Sequence, residues 1–323
     1  MRSDVLELLR EAGGYLSGEK MAKRLGVTRA AVWKKIAALR DAGYDISSAP
    51  RSGYVLRSAP DRLLEPEIAQ GLGTVLVGRK IICYDTVDST NLVLKELAHK
   101  GAANGTVVVA DSQGTGRGRM ERTFFSPPGK GIWVSILLRP TFLPQDAPKC
   151  TLMAAVAVAH AMEAFGLRAE IKWPNDILHD GRKMVGILTE MSAEMDRVNY
   201  VVIGIGINVN IAPDDFPVEL RTTATSLMQM KGEPLPRVAF LQELLRALDA
   251  LYADVQSEGF APVLAAWREY AVTLGQPVRV IGTAGETFEG IAADIDAEGA
   301  LLIDTDKGRK RVLAGDVSIR PKE

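Results

Sequence analysis

Between residues 168 and 211 the chain offers four short strand-like runs in close succession: Arg168 to Trp173, Asp176 to Leu178, Met184 to Glu190 and Asn199 to Ile211. Connections this short join antiparallel neighbours, because a parallel crossover needs a dozen residues or more. Asp180-Gly181 is a hairpin turn between the second and third runs. The stretch therefore dictates an antiparallel meander, and the surrounding fold must be built on it. Upstream, the apolar runs Thr106 to Ala110 and Ile132 to Leu138 flank a long segment with neither helical nor alternating pattern. Gly114, Gly116 and Gly118 alternate there with polar or cationic residues, and Arg117, Arg119, Arg122 and Lys130 add charge. Glycine lets backbone N–H groups come close to a ligand, so the segment reads as an anion cradle. The competing reading is a solvated surface loop.

Residues 1–62 follow the helical period instead. Ser3 is placed to cap a helix with the stripe Val5, Leu6, Leu8 and Leu9, ended by Gly13-Gly14. Ser17 caps a second helix, with Glu19 in its first turn, Met21, Ala22 and Leu25 inward and Gly26 as the break. Thr28 caps a third, in which Val32, Ile36 and Leu39 mark the buried side. Helix, glycine turn, helix is the helix-turn-helix pattern. Tyr44 to Ser47 and Gly53 to Leu56, around Ala49-Pro50-Arg51-Ser52, add a basic two-stranded wing. The net charge of −1 conceals an asymmetry: residues 1–62 hold 12 Lys and Arg against 7 Asp and Glu, the remainder 27 against 33. Phosphate contacts need such a bias. Lys20, Lys23, Thr28, Arg29, Trp33, Lys34 and Lys35 are the expected DNA face, against the alternative of a helical domain with a solvated basic side.

Arg57 to Asp61 reads as a linker and Glu65 to Gly71 as a short helix. Ile81 to Tyr84 is a strand that leads, through Asp85 to Asn91, into a helix containing Leu92, Val93, Leu94 and Leu97. Ser89 or Thr90 then sits at a helix N-terminus, either as a plain cap or offering N–H groups and a hydroxyl to a polar ligand. Cys150 to Phe165, closed by Gly166, is a buried helix. Pro174 ends the first meander strand and puts Asn175 and Asp176 at a bend, where a carboxylate can bind a metal or fix a lysine. Lys183 beside Gly186 extends charge along the sheet, and Gly204 and Gly206 leave room for a ligand against their strand. Val209 stands where a dinucleotide fingerprint needs its third glycine, and nothing matches a P-loop. Two cysteines in apolar settings and three histidines without HExxH argue against a disulfide framework and a structural zinc. No secretory signal or bilayer-length apolar run is seen, so a cytoplasmic protein with no membrane partner is expected. Val278 to Ile281, Thr287 to Ile295, Ala300 to Asp304 and Lys310 to Leu313 suggest a small barrel.

Taken together, GRGR at Gly116 to Arg119 with Ser126-Pro127, KWPND at Lys172 to Asp176, GRKxxGIL at Gly181 to Leu188 and GIGINVN at Gly204 to Asn210 resemble the signature of biotin protein ligases. The DNA-reading segment in front makes the chain similar to the bifunctional form, which is also the biotin operon repressor. The resemblance implies an α+β chain of three domains: a winged helix-turn-helix in 1–62, a class II aminoacyl-tRNA-synthetase-like mixed sheet with helices in 63–270, and an SH3-like β-barrel in 271–323. It implies a ligase that converts biotin and ATP, with Mg²⁺, into biotinyl-5′-AMP and passes biotin to a lysine of biotin carboxyl carrier protein.

Carried over by position, Ser89, Thr90, Asn91, Gln113, Arg117, Gly118, Arg119 and Lys183 would hold biotin, with Gly186, Gly204 and Gly206 lining its tunnel. Arg119, Arg122, Lys172, Asn175, Asp176, Lys183, Asn208 and Arg320 would bind ATP. Lys183, Arg119 and Arg122 would be catalytic, and Asp176 the metal ligand. Operator DNA is the implied partner of the N-terminal domain, read by a homodimer that biotinyl-AMP favours, with pairing of the meander's edge strands as the expected contact. Two departures stand out: Glu121 puts an acid inside the cationic loop, and no tryptophan between Pro213 and Met230 is available to stack on adenine. The rival readings are a biotin-responsive transcription factor without transferase activity and a lipoate ligase relative.

Overall fold

The computed structural model describes residues 5–116, 118, 123–282 and 287–314, and the backbone of 317–321. The chain divides into two compact units, Met1–Arg62 and Leu63–Glu323. The first holds α1 (Val5–Ala12), α2 (Gly18–Leu25), α3 (Arg29–Asp41) and an antiparallel hairpin of β1 (Asp45–Ala49) and β2 (Gly53–Ser58). Local signals account for the boundaries. Ser17 Oγ accepts from Lys20 N at 3.2 Å and Thr28 Oγ1 from Ala31 N at 3.1 Å, which satisfies otherwise orphaned donors. Gly26 closes α2 in the left-handed region. Leu6, Leu8, Leu9, Met21, Val32, Ile36, Ile46 and Val55 form the interior. Ser3 lies outside the described residues.

The second unit is built on a seven-stranded mixed sheet of order β3-β4-β5-β9-β8-β7-β6. Its strands are β3 (Lys80–Val87), β4 (Thr106–Gln113), β5 (Gly131–Leu138), β6 (Glu170–Lys172), β7 (Asp176–His179), β8 (Arg182–Ala193) and β9 (Val198–Asn208). The meander expected from residues 168–211 is present as β6 to β9, all antiparallel. Asp180 and Gly181 both have positive φ, the backbone that a two-residue hairpin needs. Most strand extents differ from expectation, β8 running Arg182–Ala193 where Met184 to Glu190 was expected, and three of the differences have a local cause. β6 stops at Lys172, because Trp173 N turns to Thr273 Oγ1 and Pro174 has no N–H to give. β9 stops at Asn208, since Asn210 N bonds to Lys130 O and Met228 N takes the carbonyl of Val209. β3 runs on to Val87, because it pairs in parallel with β4 as far as Val87 opposite Gln113.

Helix α6 (Lys149–Ala164) is apolar on nearly every side and buried between one sheet face and the helices α8 (Arg237–Glu258) and α9 (Ala261–Tyr270). α5 (Thr90–His99) covers the other face through Leu94 and Ala98, against Val108, Leu137 and Val202. The 22-residue α8 was not expected, although its buried Phe240, Leu241, Leu244, Leu245, Leu248, Tyr252 and Val255 follow the helical repeat.

The C-terminal strands β10 (Pro277–Gly282), β11 (Thr287–Ile295), β12 (Leu301–Thr305) and β13 (Gly308–Val312) are joined by a fifth, β14 (Val317–Pro321). Their order is β13-β12-β11-β10-β14, an antiparallel sheet with two edges among the described residues. The expectation of four strands is corrected by β14, which pairs with β10 from Val278 opposite Pro321 to Gly282 opposite Val317.

Candidate active site

Strand alternation builds the floor of a pocket. On the face of the sheet away from α6, side chains fall in transverse rows: Trp133, Gly206 and Gly186, then Ser135, Gly204 and Leu188, then Leu137, Val202 and Glu190. In the first two rows four of the six positions, Gly206, Gly186, Gly204 and Ser135, carry no more than a hydrogen or a hydroxymethyl group. The alternate residues Val134, Ile136, Ile203, Ile205, Val185 and Ile187 fill the core on the far side. The resulting concavity is lined by Ser89, Thr90, Asn91, Gln113, Gly118, Phe124, Asn175, Lys183, Gly186, Ile187, Leu188, Gly204, Ile205 and Gly206. The glycines do not simply leave space for a ligand. A Cβ on Gly204 would strike the Asn91 amide, and one on Gly186 or Gly206 would press on the Phe124 ring.

At one end the β3–β4 ladder brings Gln113 beside the N-terminus of α5. Gln113 Oε1 accepts from Thr90 N at 3.0 Å and from Thr90 Oγ1 at 3.3 Å, and its Nε2 donates to Ser126 Oγ at 3.0 Å. Ser89 occupies the N-cap position, but its hydroxyl makes no capping bond, and the residue is buried. Ser89 therefore makes no side-chain cap, and it lines the pocket together with Thr90 at a helix end that carries positive partial charge.

At the other end Lys183 Nζ lies 2.7 Å from Asp176 Oδ1 and 5.5 Å from the centroid of the Phe124 ring. The bend after Trp173 therefore serves to fix a lysine, one of the two uses expected of Asp176. Asn175 Nδ2 donates to Ile187 O at 2.9 Å, which holds the bend against β8. The segment 223–225 runs beside the start of β8, with Lys183 N to Thr223 O at 2.8 Å and Thr225 N to Lys183 O at 2.9 Å. Asn208 Nδ2 donates to Thr225 O at 3.0 Å, while the buried Asn208 Oδ1 and Thr225 Oγ1 have no partner among the described residues. Buried polar atoms are normally bonded, so this pair has capacity left for a ligand. Phe124, Phe125, Phe216, Leu220 and Ala224 surround Trp133 and Ile211 nearby.

The described ends of the glycine-rich segment are tied together in a neck. Phe124 N donates to Gly116 O at 2.7 Å, and Gly114 N to Val87 O at 2.9 Å. Below this neck, the buried Arg237 donates through Nη1 to Asp111 Oδ1 at 3.0 Å and to Gly131 O at 3.2 Å. The other Asp111 oxygen accepts from Gly129 N at 3.0 Å, so both feet of the segment share one clamp. Sequence reasoning missed Arg237, Phe124 and Glu190 as members of this region. Arg117, Arg119, Glu121 and Arg122 lie outside the described residues, as does the side chain of Arg320 in β14. Lys130 pairs with Asp215 at 3.1 Å instead of facing the pocket. Lys172 lies in β6, opposite Asp176 in the ladder, and does not line the pocket. Burial pushes the thiols of Cys83 and Cys150 up to about 12, so neither offers a thiolate near neutral pH. Among the described residues, the one cluster with metal-ligand spacing is Glu170, His179 and Asp180, which does not include Asp176.

In the N-terminal unit Lys20, Lys23, Thr28, Arg29, Trp33, Lys34 and Lys35 are all exposed on α2, α3 and the turn between them. Two other cations of the same run are used inside the unit: Arg24 pairs with Glu11 at 2.9 Å, and Arg40 donates to Ile46 O at 2.8 Å. No helix among the described residues is long and apolar enough to cross a membrane.

Fold and site together define a class: a small-molecule site on a mixed sheet, carried in one chain with a helix-turn-helix unit. Residues 83–208 match the Biotin/lipoate A/B protein ligase family, residues 2–55 an HTH domain, and residues 273–320 the biotin protein ligase C terminal domain. The bifunctional ligase/repressor BirA of Bacillus subtilis (strain 168) is 46% identical over 321 residues, which is 99% of this chain and 98% of that protein. The protein of the same description from Escherichia coli (strain K12) is 33% identical over 312 residues, 96% of this chain and 95% of its own. The biotin protein ligase from Aquifex aeolicus in complex with biotin and ATP matches with a TM-score of 0.66 and 28% identity, over 76% of this chain and all of that one. The chain belongs to the family of the bifunctional ligase/repressor BirA.

Proposed function

We propose that the chain is a biotin protein ligase that forms biotinyl-5′-AMP from biotin and ATP, transfers biotin to a lysine of biotin carboxyl carrier protein, and represses transcription through its helix-turn-helix unit. The observation that carries this is the polarity of the pocket. A polar end of Ser89, Thr90 and Gln113 and a cationic end at Lys183 are joined by a floor of glycines, which suits a small ligand with a polar ring and a carboxylate tail.

In the adenylation step a carboxylate oxygen attacks the α-phosphorus and the bond to pyrophosphate breaks. Two anions must approach, so a fixed cation at the point of attack lowers the barrier. We assign that cation to Lys183, whose ammonium is paired with Asp176 and lies over the Phe124 ring. Asn175, in the pocket lining, and Asn208, bonded to Thr225 O behind it, are assigned to the nucleotide end. The aromatic group of Phe124, Phe125 and Phe216 supplies an apolar wall in place of the absent tryptophan. Mg²⁺ would shield the phosphates, with Asp176 as the carboxylate to hold it; that group already carries the Lys183 ammonium, so ion and lysine would share it. Arg119 and Arg122 complete the cationic side in this reading, and Arg320 adds to it from the C-terminal domain.

We take residues 63–270 as the class II synthetase-like domain and 271–323 as an SH3-like domain. Repression calls for a homodimer, and β8 offers the edge for it: β7 covers only residues 182–186 of β8, leaving the stretch to Ala193 paired on one side by β9. Biotin-dependent release of pyrophosphate from ATP, measured without a carrier, tests the enzymatic half. Release in near-stoichiometric amount with enzyme is expected. Its absence would favour a biotin-responsive regulator that does no chemistry.

A further inference from the structure

Resting on the reading of the pocket as a biotin site, we infer that Glu190 is a positioning residue that fixes, through Asn91, which way the hydrogen bonds of the pocket run. Asn91 lies in the first turn of α5 and its amide spans three strands above Gly204. Its Nδ2 donates to Leu188 O at 3.2 Å and to Glu190 Oε2 at 2.9 Å. Its Oδ1 is 2.6 Å from Ser135 Oγ. The two ends of an amide have the same shape, so chemistry alone chooses between them. A carbonyl and a carboxylate can only accept, and they compel the amide nitrogen to face β8 and the oxygen to face Ser135.

That choice propagates. Ser135 is fully buried, and its hydroxyl also lies 2.7 Å from Thr90 Oγ1. Its single proton goes to Asn91 Oδ1, so the Thr90 proton is taken in turn by Ser135 Oγ at 2.7 Å or by Gln113 Oε1 at 3.3 Å. The Thr90 oxygen can therefore show only a lone pair to the pocket. A lone pair suits the N–H of a cyclic urea and repels a ring that lacks the hydrogen. The glycine at 204 belongs to the same device, because any Cβ there would displace the Asn91 amide.

Glu190 is the charged root of the chain. Its Oε1 takes Lys95 Nζ at 2.7 Å while Oε2 takes Asn91, so both oxygens are engaged. In Glu190→Gln a single oxygen faces two donors, and the ammonium takes it because a charged donor bonds more strongly. The new amide NH₂ then faces Asn91 and turns its amide over. Removing the competitor restores the order: in Glu190→Gln with Lys95→Met, the glutamine carbonyl is free to accept from Asn91.

The experiment is calorimetric titration of biotin, without ATP, into the wild-type chain, Lys95→Met, Glu190→Gln and the double variant, with thermal melting to confirm folding. Glu190→Gln is expected to weaken biotin binding by roughly 10- to 100-fold, the range of a misdirected charged hydrogen bond. Lys95→Met is expected to stay within about threefold of wild type, and the double variant to recover to a similar level, since both keep the Asn91 amide bonded to an acceptor. Wild-type affinity in Glu190→Gln would overturn the inference. So would a loss in Lys95→Met equal to that in Glu190→Gln with no recovery in the double variant, the pattern of a purely structural ion pair. A wild-type chain that takes up no biotin would overturn the reading of the ligand itself.

Discussion

Lys183→Ala is expected to slow formation of the acyl-adenylate by roughly 10²- to 10³-fold while changing biotin affinity by less than about tenfold. The reasoning starts from where the charge is placed. Thr90 and Gln113 bond to each other and Lys183 to Asp176, so in this reading Lys183 contributes little to holding the ring of the ligand. Its ammonium is pinned at 2.7 Å by Asp176 and lies over the Phe124 ring, and a pinned charge needs no reorganisation when negative charge builds between carboxylate and phosphate. Single-turnover adenylation at saturating biotin and ATP, set beside a biotin titration, separates the two quantities. Equal losses in both would show that the lysine binds ground state and transition state alike. Asp176→Asn provides a graded control: the lysine remains but loses its tether, so a smaller loss of rate is expected.

Asp111→Ala is expected to destabilise the second unit by about 1.5–3 kcal/mol, the cost of removing a hydrogen-bonded acceptor from a charged, buried group. The Arg237 side chain is only 4% exposed, and Asp111 accepts from it and from Gly129 N. Removing the carboxylate takes one acceptor from the guanidinium, which keeps Gly131 O, and frees the Gly129 foot of the glycine-rich segment. Urea unfolding followed by a probe in the second unit reads the effect, and the companion Asp111→Ala, Arg237→Met variant should show less than the sum of the two single losses, because the two side chains share one contact. A loss below about 1 kcal/mol, as found for exposed pairs, would contradict the clamp.

The local features of this chain were legible because their causes are local. Ser17, Gly26 and Thr28 bound helices through contacts within a few residues, and Asp180-Gly181 sets a hairpin by its own backbone. The alternation of Gly204 and Gly206 told which face of β9 was left open, since the strand repeat puts every second residue on one side. The motifs that resemble those of biotin protein ligases located Ser89, Thr90, Gln113, Lys183 and the glycines, which the fold brings to one pocket. What remained hidden depends on long separations. Arg237 meets Asp111 across 126 positions and Glu190 meets Asn91 across 99, and no periodicity records such a meeting. The parallel pairing of β3 with β4, which carries Gln113 to the end of α5, is likewise a matter of topology. Phe124 lies in a segment whose glycines and arginines dominate its pattern, so nothing local marks the ring that packs over Gly186, Gly206 and Lys183.

The central claim is that this pocket makes an activated biotin for transfer to a protein lysine. Incubating the chain with biotin, MgATP and a biotin carboxyl carrier domain, then weighing the carrier by intact-protein mass spectrometry, tests it most directly. A gain of one biotinyl group per carrier, abolished when the acceptor lysine is replaced by arginine, is the expected result. A carrier of unchanged mass, under conditions where a known ligase modifies it fully, would contradict the account.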